Sequence, residues 1–343
     1  MSFSARFLSP SQAAEQLGVS AKALRLYEQR GLVAPARTAA GWRAYGPDEM
    51  ARAAEVVALR ALGFSLVQVA RVLKGDPQGL ELALAAHQTT LEGQIRQLAQ
   101  AIEKVRNLRA DLARGQVPAA ANLTRLLADA EASVAFDLPW PWGGERFKLR
   151  GIQPLNYITG PLGSGKTRLA QRLAETLPGA AFVGLDRLAD SGAAARVRLD
   201  ADPALKSRVG QTLAWLVEDG ATASDALVAL IVKLETEGPA TLVVDMVEQG
   251  LDQATQEALI AHLRHRGPDG RPLFLLTRSC TILDLAAAGA HEATILYPAN
   301  HSPPTRVALH PGAPGYEAVA TCLAAPQVRA RTEGVIAWRP EVA

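Results

Sequence analysis

The sequence predicts a multidomain protein: an all-α N-terminal part ending in a coiled-coil helix, then an α/β domain with a mainly parallel sheet. Three observations carry this prediction. Short capped helical segments joined by glycine turns fill the first 75 residues, an apolar heptad stripe runs from Glu81 to Leu112, and a glycine-rich loop ending in Lys166-Thr167 follows a strand-like segment. At 343 residues the chain exceeds the size that one core usually serves, so at least two domains are expected.

In the head, Ser9-Pro10-Ser11-Gln12 has the composition of a helix start, since Ser can cap, Pro suits the first helical position and Gln can close a capping box. That helix runs to about Leu17, Gly18 turns the chain, and a second helix capped by Ser20 carries Lys22, Arg25, Tyr27 and Glu28 up to Gly31. Two short helices around a glycine turn read as helix-turn-helix. Arg37 to Tyr45 alternates basic and aromatic residues around Gly41, the pattern of a small β-hairpin wing. Gly46-Pro47-Asp48-Glu49 opens a third helix that ends at Gly63, and Ser65-Leu66-Val67-Gln68 caps a fourth running to about Lys74.

Ala23-Leu24-Arg25-Leu26-Tyr27-Glu28-Gln29-Arg30-Gly31-Leu32, Gly41-Trp42-Arg43-Ala44-Tyr45 and Leu62-Gly63-Phe64-Ser65-Leu66 together resemble the signature of the MerR family of transcription regulators. The resemblance implies a winged helix-turn-helix over residues 1–77. Residues matching Arg25 and Tyr27 would contact DNA, and those matching Arg37, Arg43 and Tyr45 would anchor the wing. With Lys22 on the same helix, these are the candidate DNA-binding residues. The implied partners are double-stranded promoter DNA and RNA polymerase. Charge agrees: residues 1–75 carry ten Lys or Arg against five Asp or Glu, an excess of +5 in a chain of net charge +2.

Leu84, Leu91, Leu98, Val105 and Leu112 recur every seventh position, supported by Ile95, Ile102 and Leu108, as on a coiled-coil seam over residues 78–115. His87 and Gln94 fall on the seam and weaken it. MerR proteins place an antiparallel dimerising helix at this point, which implies a homodimer. Residues 116–150 read as a linker ending in the turn-forming Leu138-Pro139-Trp140-Pro141-Trp142-Gly143-Gly144. Its tryptophans are expected to pack at a domain junction, with stacking on a base as the alternative.

Residues 151–343 are expected to form the nucleotide-binding domain. Gly160-Pro161-Leu162-Gly163-Ser164-Gly165-Lys166-Thr167 has the phosphate-binding spacing and stands between the strand-like Leu155-Asn156-Tyr157-Ile158-Thr159 and a helix. Amides of such a loop, from Gly160, Gly163, Ser164 and Gly165, cradle phosphates at a helix N-terminus. Lys166 reaches the terminal phosphates, and Thr167 ligates Mg2+ with help from Asp245 at the end of the apolar Thr241-Leu242-Val243-Val244. The expected cofactors are therefore ATP and Mg2+.

Gly250-Leu251-Asp252, seven residues beyond Asp245, and the strand Pro272 to Thr277 make the domain resemble ABC-type ATPases. It departs from them where chemistry is done. Met246 stands for the catalytic glutamate, Arg278 for the switch histidine, and Ala221-Thr222-Ala223-Ser224-Asp225 for the signature loop. The catalytic candidates are Asp245, Glu248 and Arg278, and turnover is expected to be slow unless Glu248 or another chain orients the attacking water. The expectation is therefore nucleotide binding with weak ATPase turnover. Two rivals stand beside this reading: a P-loop small-molecule kinase using Asp186 as base, and a degenerate dimerisation module.

No apolar run reaches the roughly 18 residues of a membrane span, and Met1 to Pro10 does not resemble a secretory leader, so a cytoplasmic protein is expected. Cys280 and Cys322 lie at neither zinc nor redox spacing and are expected to be buried packing residues.

Overall fold

The computed structural model describes residues 7–19, 21–38, 40–77, 79–114, 134–266, 270–285, 287–288, 293–299, 302–325 and 328. The chain divides into two compact units. One holds residues 1–135, 148–152 and 265–270, and the other holds 136–147, 153–264 and 271–343.

In the first unit, α1 (Pro10–Leu17) begins with the expected capping box, Ser9 paired with Gln12, and exits through Gly18 at φ 67°. Helix α2 (Ala21–Gln29) follows, its predicted cap Ser20 lying outside the described residues. Strands β1 (Ala36–Arg37) and β2 (Arg43–Ala44) pair antiparallel as the wing. Helix α3 (Pro47–Ala61) has Glu49 accepting from the Gly46 amide, and α4 (Leu66–Val72) is boxed by Ser65 and Gln68. Leu24, Tyr27, Tyr45, Val56, Phe64 and Val69 close the core between these helices.

Helix α5 (Leu80–Ala113) is 34 residues, about 50 Å at 1.5 Å per residue. It leaves Leu84, Leu91, Ile95, Ile102, Val105 and Leu112 exposed. Among the described residues of the chain, no helix is long and apolar enough to cross a membrane.

The segment expected to be a linker carries a hairpin, β3 (Val134–Asp137) with β4 (Arg146–Leu149). Its turn belongs to the second unit. The turn is held by the Leu138 amide donating to Glu145 O and by an edge contact of Phe136 with Phe147.

The second unit is built on a six-stranded sheet: β5 (Leu155–Ile158), β6 (Ala180–Val183), β7 (Thr241–Val244), β8 (Leu273–Leu276), β9 (Ala293–Tyr297) and β10 (Thr305–Val307). Their order is β10-β9-β5-β8-β7-β6, parallel except for β10. Strands β5, β7 and β8 are buried at every residue, as near-continuous apolar runs must be when a parallel sheet is covered on both faces.

Helices α6 (Lys166–Thr176), α7 (Ala193–Ala201), α8 (Pro203–Glu218), α9 (Asp225–Glu235), α10 (Gln253–His265) and α11 (Tyr316–Cys322) complete the unit. Parallel strands bring their carboxyl ends to one edge, where ligands of open α/β sheets bind. Here that edge collects the loop after β5, Asp245 after β7 and Arg278 after β8. The cysteines depart from expectation: Cys280 is exposed on the turn after β8, and Cys322 is half-buried at the end of α11.

Candidate functional site

In the head, Glu28 of α2 faces the wing and accepts from Arg37 Nη2 at 3.4 Å and from Arg43 Nε. Arg37 Nη1 also donates to Gly41 O at 3.2 Å. Both wing arginines are thus tied to α2 through one carboxylate, which sets the wing's angle. Arg25 is exposed on α2, while the Lys22 side chain lies outside the described residues. Tyr27 and Tyr45 are core residues, Tyr45 at 1% exposure, because the chain there is bridged to Leu8 by two backbone hydrogen bonds. Their rings pack in the core of the head. Burial and the nearby Glu28 carboxylate push the Tyr45 hydroxyl's pKa up. Trp42, not among the expected contacts, is 74% exposed at the wing tip.

At the sheet edge the glycines of the loop are where side chains would fail. A Cβ on Gly160 would meet Pro298 O at 2.8 Å and Ser164 Oγ at 3.1 Å, and Gly163 and Gly165 hold φ of 77° and 89°. Lys166 Nζ turns into the loop, donating to Gly160 O at 2.9 Å and Pro161 O at 2.6 Å. Burial, then the Arg278 charge, bring its pKa down to about 8. Thr167 Oγ1 donates to Asp245 Oδ2 at 3.2 Å, so the two oxygen donors expected for the metal are adjacent. Burial raises the Asp245 pKa against the opposing Thr167 hydrogen bond and the charges of Arg187 and Lys166. A hydroxyl and a buried carboxylate beside a phosphate loop form a donor set that fits Mg2+.

Around Asp245 the backbone is pinned. Arg187, buried after β6, donates to Gly184 O at 2.8 Å, Asp245 O at 2.9 Å and Met246 O at 2.8 Å. Met246 takes φ 43°, a left-handed conformation that this guanidinium stabilises. Glu248, 3% exposed, accepts from the Arg278 amide at 2.9 Å and so braces the β7 loop to the β8 loop. Asp252 caps α10 by accepting from Thr255 N at 2.8 Å. Gln256 of α10 donates to Leu251 O at 2.7 Å and accepts from Ser279 Oγ at 2.6 Å. Ser224 caps α9, which gives the segment at the signature-loop position a structural task.

The hairpin turn closes over the loop. Trp142 is 5% exposed, and its Nε1 donates to Ser302 O at 2.6 Å. A Cβ on Gly165 would meet Trp142 Cη2 and Pro141 Cδ, each at 2.9 Å. Trp140 stays 67% exposed, with the Arg168 guanidinium 4.7 Å from its ring centre.

Residues 8–76 match the model of the MerR HTH family regulatory proteins. A probable heavy metal-dependent transcriptional regulator of Haemophilus influenzae is 36% identical over 104 residues, which are 28% of this chain and 81% of that protein. The chain belongs to the MerR family. Other MerR-like relatives are covered over 35% to 44% of their own lengths. Among solved structures, HiNmlR, a MerR family regulator lacking the sensor domain and bound to promoter DNA, is 24% identical. It aligns over 33% of this chain and 100% of its own, with TM-score 0.24. The bacterial ABC transporter cassette MJ0796 is 15% identical, aligns over 52% of this chain and 99% of its own, and has TM-score 0.36.

For this MerR regulator the structure gathers Gly160, Gly163, Ser164, Gly165, Lys166, Thr167, Asp245, Glu248 and Arg278 at one sheet edge. Asp186 is exposed in the turn after β6, the sheet-edge strand beside β7 and the third strand from β5. Sequence reasoning missed Arg187, whose only signal was an arginine next to Asp186 in the turn after β6. It expected both tryptophans to pack at a domain junction and did not foresee that Trp142 lies against Gly165 of the glycine-rich loop.

Proposed function

We propose that this MerR-type regulator acts as a homodimer on double-stranded promoter DNA, and that Mg2+-ATP at its P-loop unit modulates promoter binding or distortion. The observation that carries the nucleotide part is the convergence of Lys166, Thr167 and Asp245 at the carboxyl ends of β5 and β7, with the Thr167–Asp245 contact already in place. Phosphates fit the loop amides and Lys166, Mg2+ fits Thr167 and Asp245, and the exposed face of Trp140 suits a nucleobase. A base stacked there, with Arg168 on the ring, would couple the hairpin to the loop.

Two copies meet through α5, whose exposed apolar stripe is otherwise left in water. The paired heads then present α2 and the wing to successive turns of the duplex, with Arg25, Arg37 and Trp42 outermost. Promoter distortion would set whether RNA polymerase engages its elements, and the work of such a protein lies in the cytoplasm.

Chemistry beyond binding is slow in this account. Met246 offers no base, and Glu248 is committed to the Arg278 amide, so ATP is retained as a signal. Modulation requires ATP to bind the two head conformations with different affinity. The test is a promoter-duplex titration by fluorescence anisotropy, with and without Mg2+-ATP, on wild type and Lys166→Ala. A shift in wild type that is lost in the variant is expected; four superimposable curves would sink the proposal.

A further inference from the structure

We propose, on the Mg2+-nucleotide reading of the loop, that Arg187 is the positioning residue of the metal site: it grips the two carbonyls that follow β7, holds Met246 in a left-handed turn, and so keeps the Asp245 carboxylate on Thr167. Strand pairing brings the arginine there. In the parallel β6–β7 ladder Val183 lies beside Val244, and the Asp245 amide still donates to Val183 O at 2.9 Å. Beyond that bond the ladder ends, and the short turn Leu185–Leu188 folds Arg187 back across the end of β7.

The side chain is 6% exposed, and among the described residues its hydrogen bonds all go to main-chain carbonyls. Nη1 donates to Gly184 O at 2.8 Å and to Asp245 O at 2.9 Å, Nη2 donates to Met246 O at 2.8 Å, and Nε is buried without an acceptor. Successive carbonyls of an extended strand point to opposite sides. Those of Asp245 and Met246 converge on one guanidinium, which the φ of 43° at Met246 makes possible. Gln249 N closes the same turn, donating to Met246 O at 2.9 Å.

Charge alone does not account for this arrangement. The carboxylates of Asp245, Asp186 and Glu248 favour the guanidinium's charge against its burial, yet none of them is hydrogen-bonded to it among the described residues. Glu248 is engaged with the Arg278 amide, Asp186 is exposed, and Asp245 accepts from Thr167. Lys166 adds a second positive charge near Asp245, with Arg278 beside that lysine. An apolar residue would fill a buried position at lower cost than a guanidinium without a carboxylate partner, so the planar fork is the property the site uses. The Asp245 carboxylate itself receives Thr167 Oγ1 at 3.2 Å and faces the Met246 amide. Both contacts depend on the direction in which the chain leaves β7, which Arg187 fixes.

Two titrations of the full chain separate metal from phosphate binding. Mn2+ added to its 1:1 complex with the non-hydrolysable triphosphate AMP-PNP, followed by the paramagnetic resonance of the free ion, reads the metal site; calorimetry of AMP-PNP in EDTA reads the phosphate loop. Arg187→Met and Arg187→Lys are each compared alone and combined with Met246→Gly. Both single variants should bind Mn2+ about tenfold to a hundredfold more weakly, the range for removing a group that orients a metal ligand, with metal-free AMP-PNP affinity kept within about threefold. Adding Met246→Gly should restore at least about threefold of the lost Mn2+ affinity, because glycine takes the left-handed turn unaided. If circular dichroism shows Arg187→Met misfolded, the Arg187→Lys pair decides. Either single variant binding Mn2+ as wild type does, equal losses with and without metal, or double variants that regain nothing would overturn the proposal while leaving the nucleotide site standing. A wild-type complex that holds Mn2+ no more tightly than free AMP-PNP would overturn the metal reading as well.

Discussion

Gly163→Ala and Gly165→Ala form a matched pair that tests whether the tryptophan turn is part of the phosphate site. Both glycines are left-handed, with φ of 77° and 89°, so alanine at either costs about 1–2 kcal/mol in backbone strain. Their surroundings differ. A Cβ on Gly163 meets nothing within 4 Å, whereas one on Gly165 lies 2.9 Å from both Pro141 Cδ and Trp142 Cη2. Trp142 cannot yield readily, because it is buried and anchored on Ser302 O at 2.6 Å. Overpacking of that kind adds about 1–3 kcal/mol, so Gly165→Ala should cost about 2–5 kcal/mol in total. Guanidinium unfolding followed by tryptophan fluorescence measures both, taking the transition that Mg2+-ATP shifts as that of the nucleotide unit. Trp142→Leu in the Gly165→Ala background should return part of the loss as a coupling between the two sites. Equal costs for the two alanines, within about 0.5 kcal/mol, would refute the packing of the turn on the loop.

Four further outcomes are expected. Asp245→Asn should abolish the Mg2+ dependence of ATP binding yet stabilise the unliganded unit at pH 7, because burial raises this carboxylate's pKa and its ionised form is disfavoured in the fold; calorimetry with and without Mg2+ reads both signs. ATP affinity should fall above about pH 8, by at most about tenfold per pH unit, since free Lys166 loses its proton near 8 and the phosphate-bound lysine keeps it; a flat affinity from pH 7.5 to 9.5 would contradict this. Glu28→Ala should weaken promoter binding although it removes a negative charge, because both wing arginines lose their anchor; tighter binding in anisotropy titrations at several salt concentrations would show that charge, not wing placement, governs affinity. Leu91→Glu with Ile95→Glu should give a monomer by sedimentation, with promoter affinity reduced at least about tenfold through loss of the paired head.

Local chemistry was readable in the residues, and non-local packing was not. Ser9 with Gln12 and Ser65 with Gln68 announced two helix starts, and both boxes form, because a capping box needs nothing beyond four consecutive residues. The phosphate loop was legible for the same reason: its glycines, Lys166 and Thr167 are contiguous, and Asp245 ends an unmistakably apolar strand. What failed depended on partners distant in sequence. Trp140-Pro141-Trp142 reads as a turn, and only the fold shows that the turn lies on Gly165. Tyr27 reads in the sequence as a DNA contact and Tyr45 as a wing anchor, and only helix packing shows that both rings are buried in the core of the head. Glu28 is only one residue of the second helix in the sequence, and it takes the folded wing to bring Arg37 and Arg43 to it. Cys280 was expected inside, but β8 ends before it and leaves it on an exposed turn.

The claim that joins the two units is that ATP and promoter DNA influence each other's binding. Thermodynamic linkage makes this reciprocal: if ATP changes promoter affinity by some factor, promoter must change ATP affinity by the same factor. The decisive measurement is therefore the Mg2+-ATP dissociation constant of the full chain with and without saturating promoter duplex, a scrambled duplex serving as control. A shift of about threefold or more, equal to the one ATP produces in the DNA titration and absent with the scrambled duplex, is the predicted result. An ATP affinity unchanged by promoter would contradict the account.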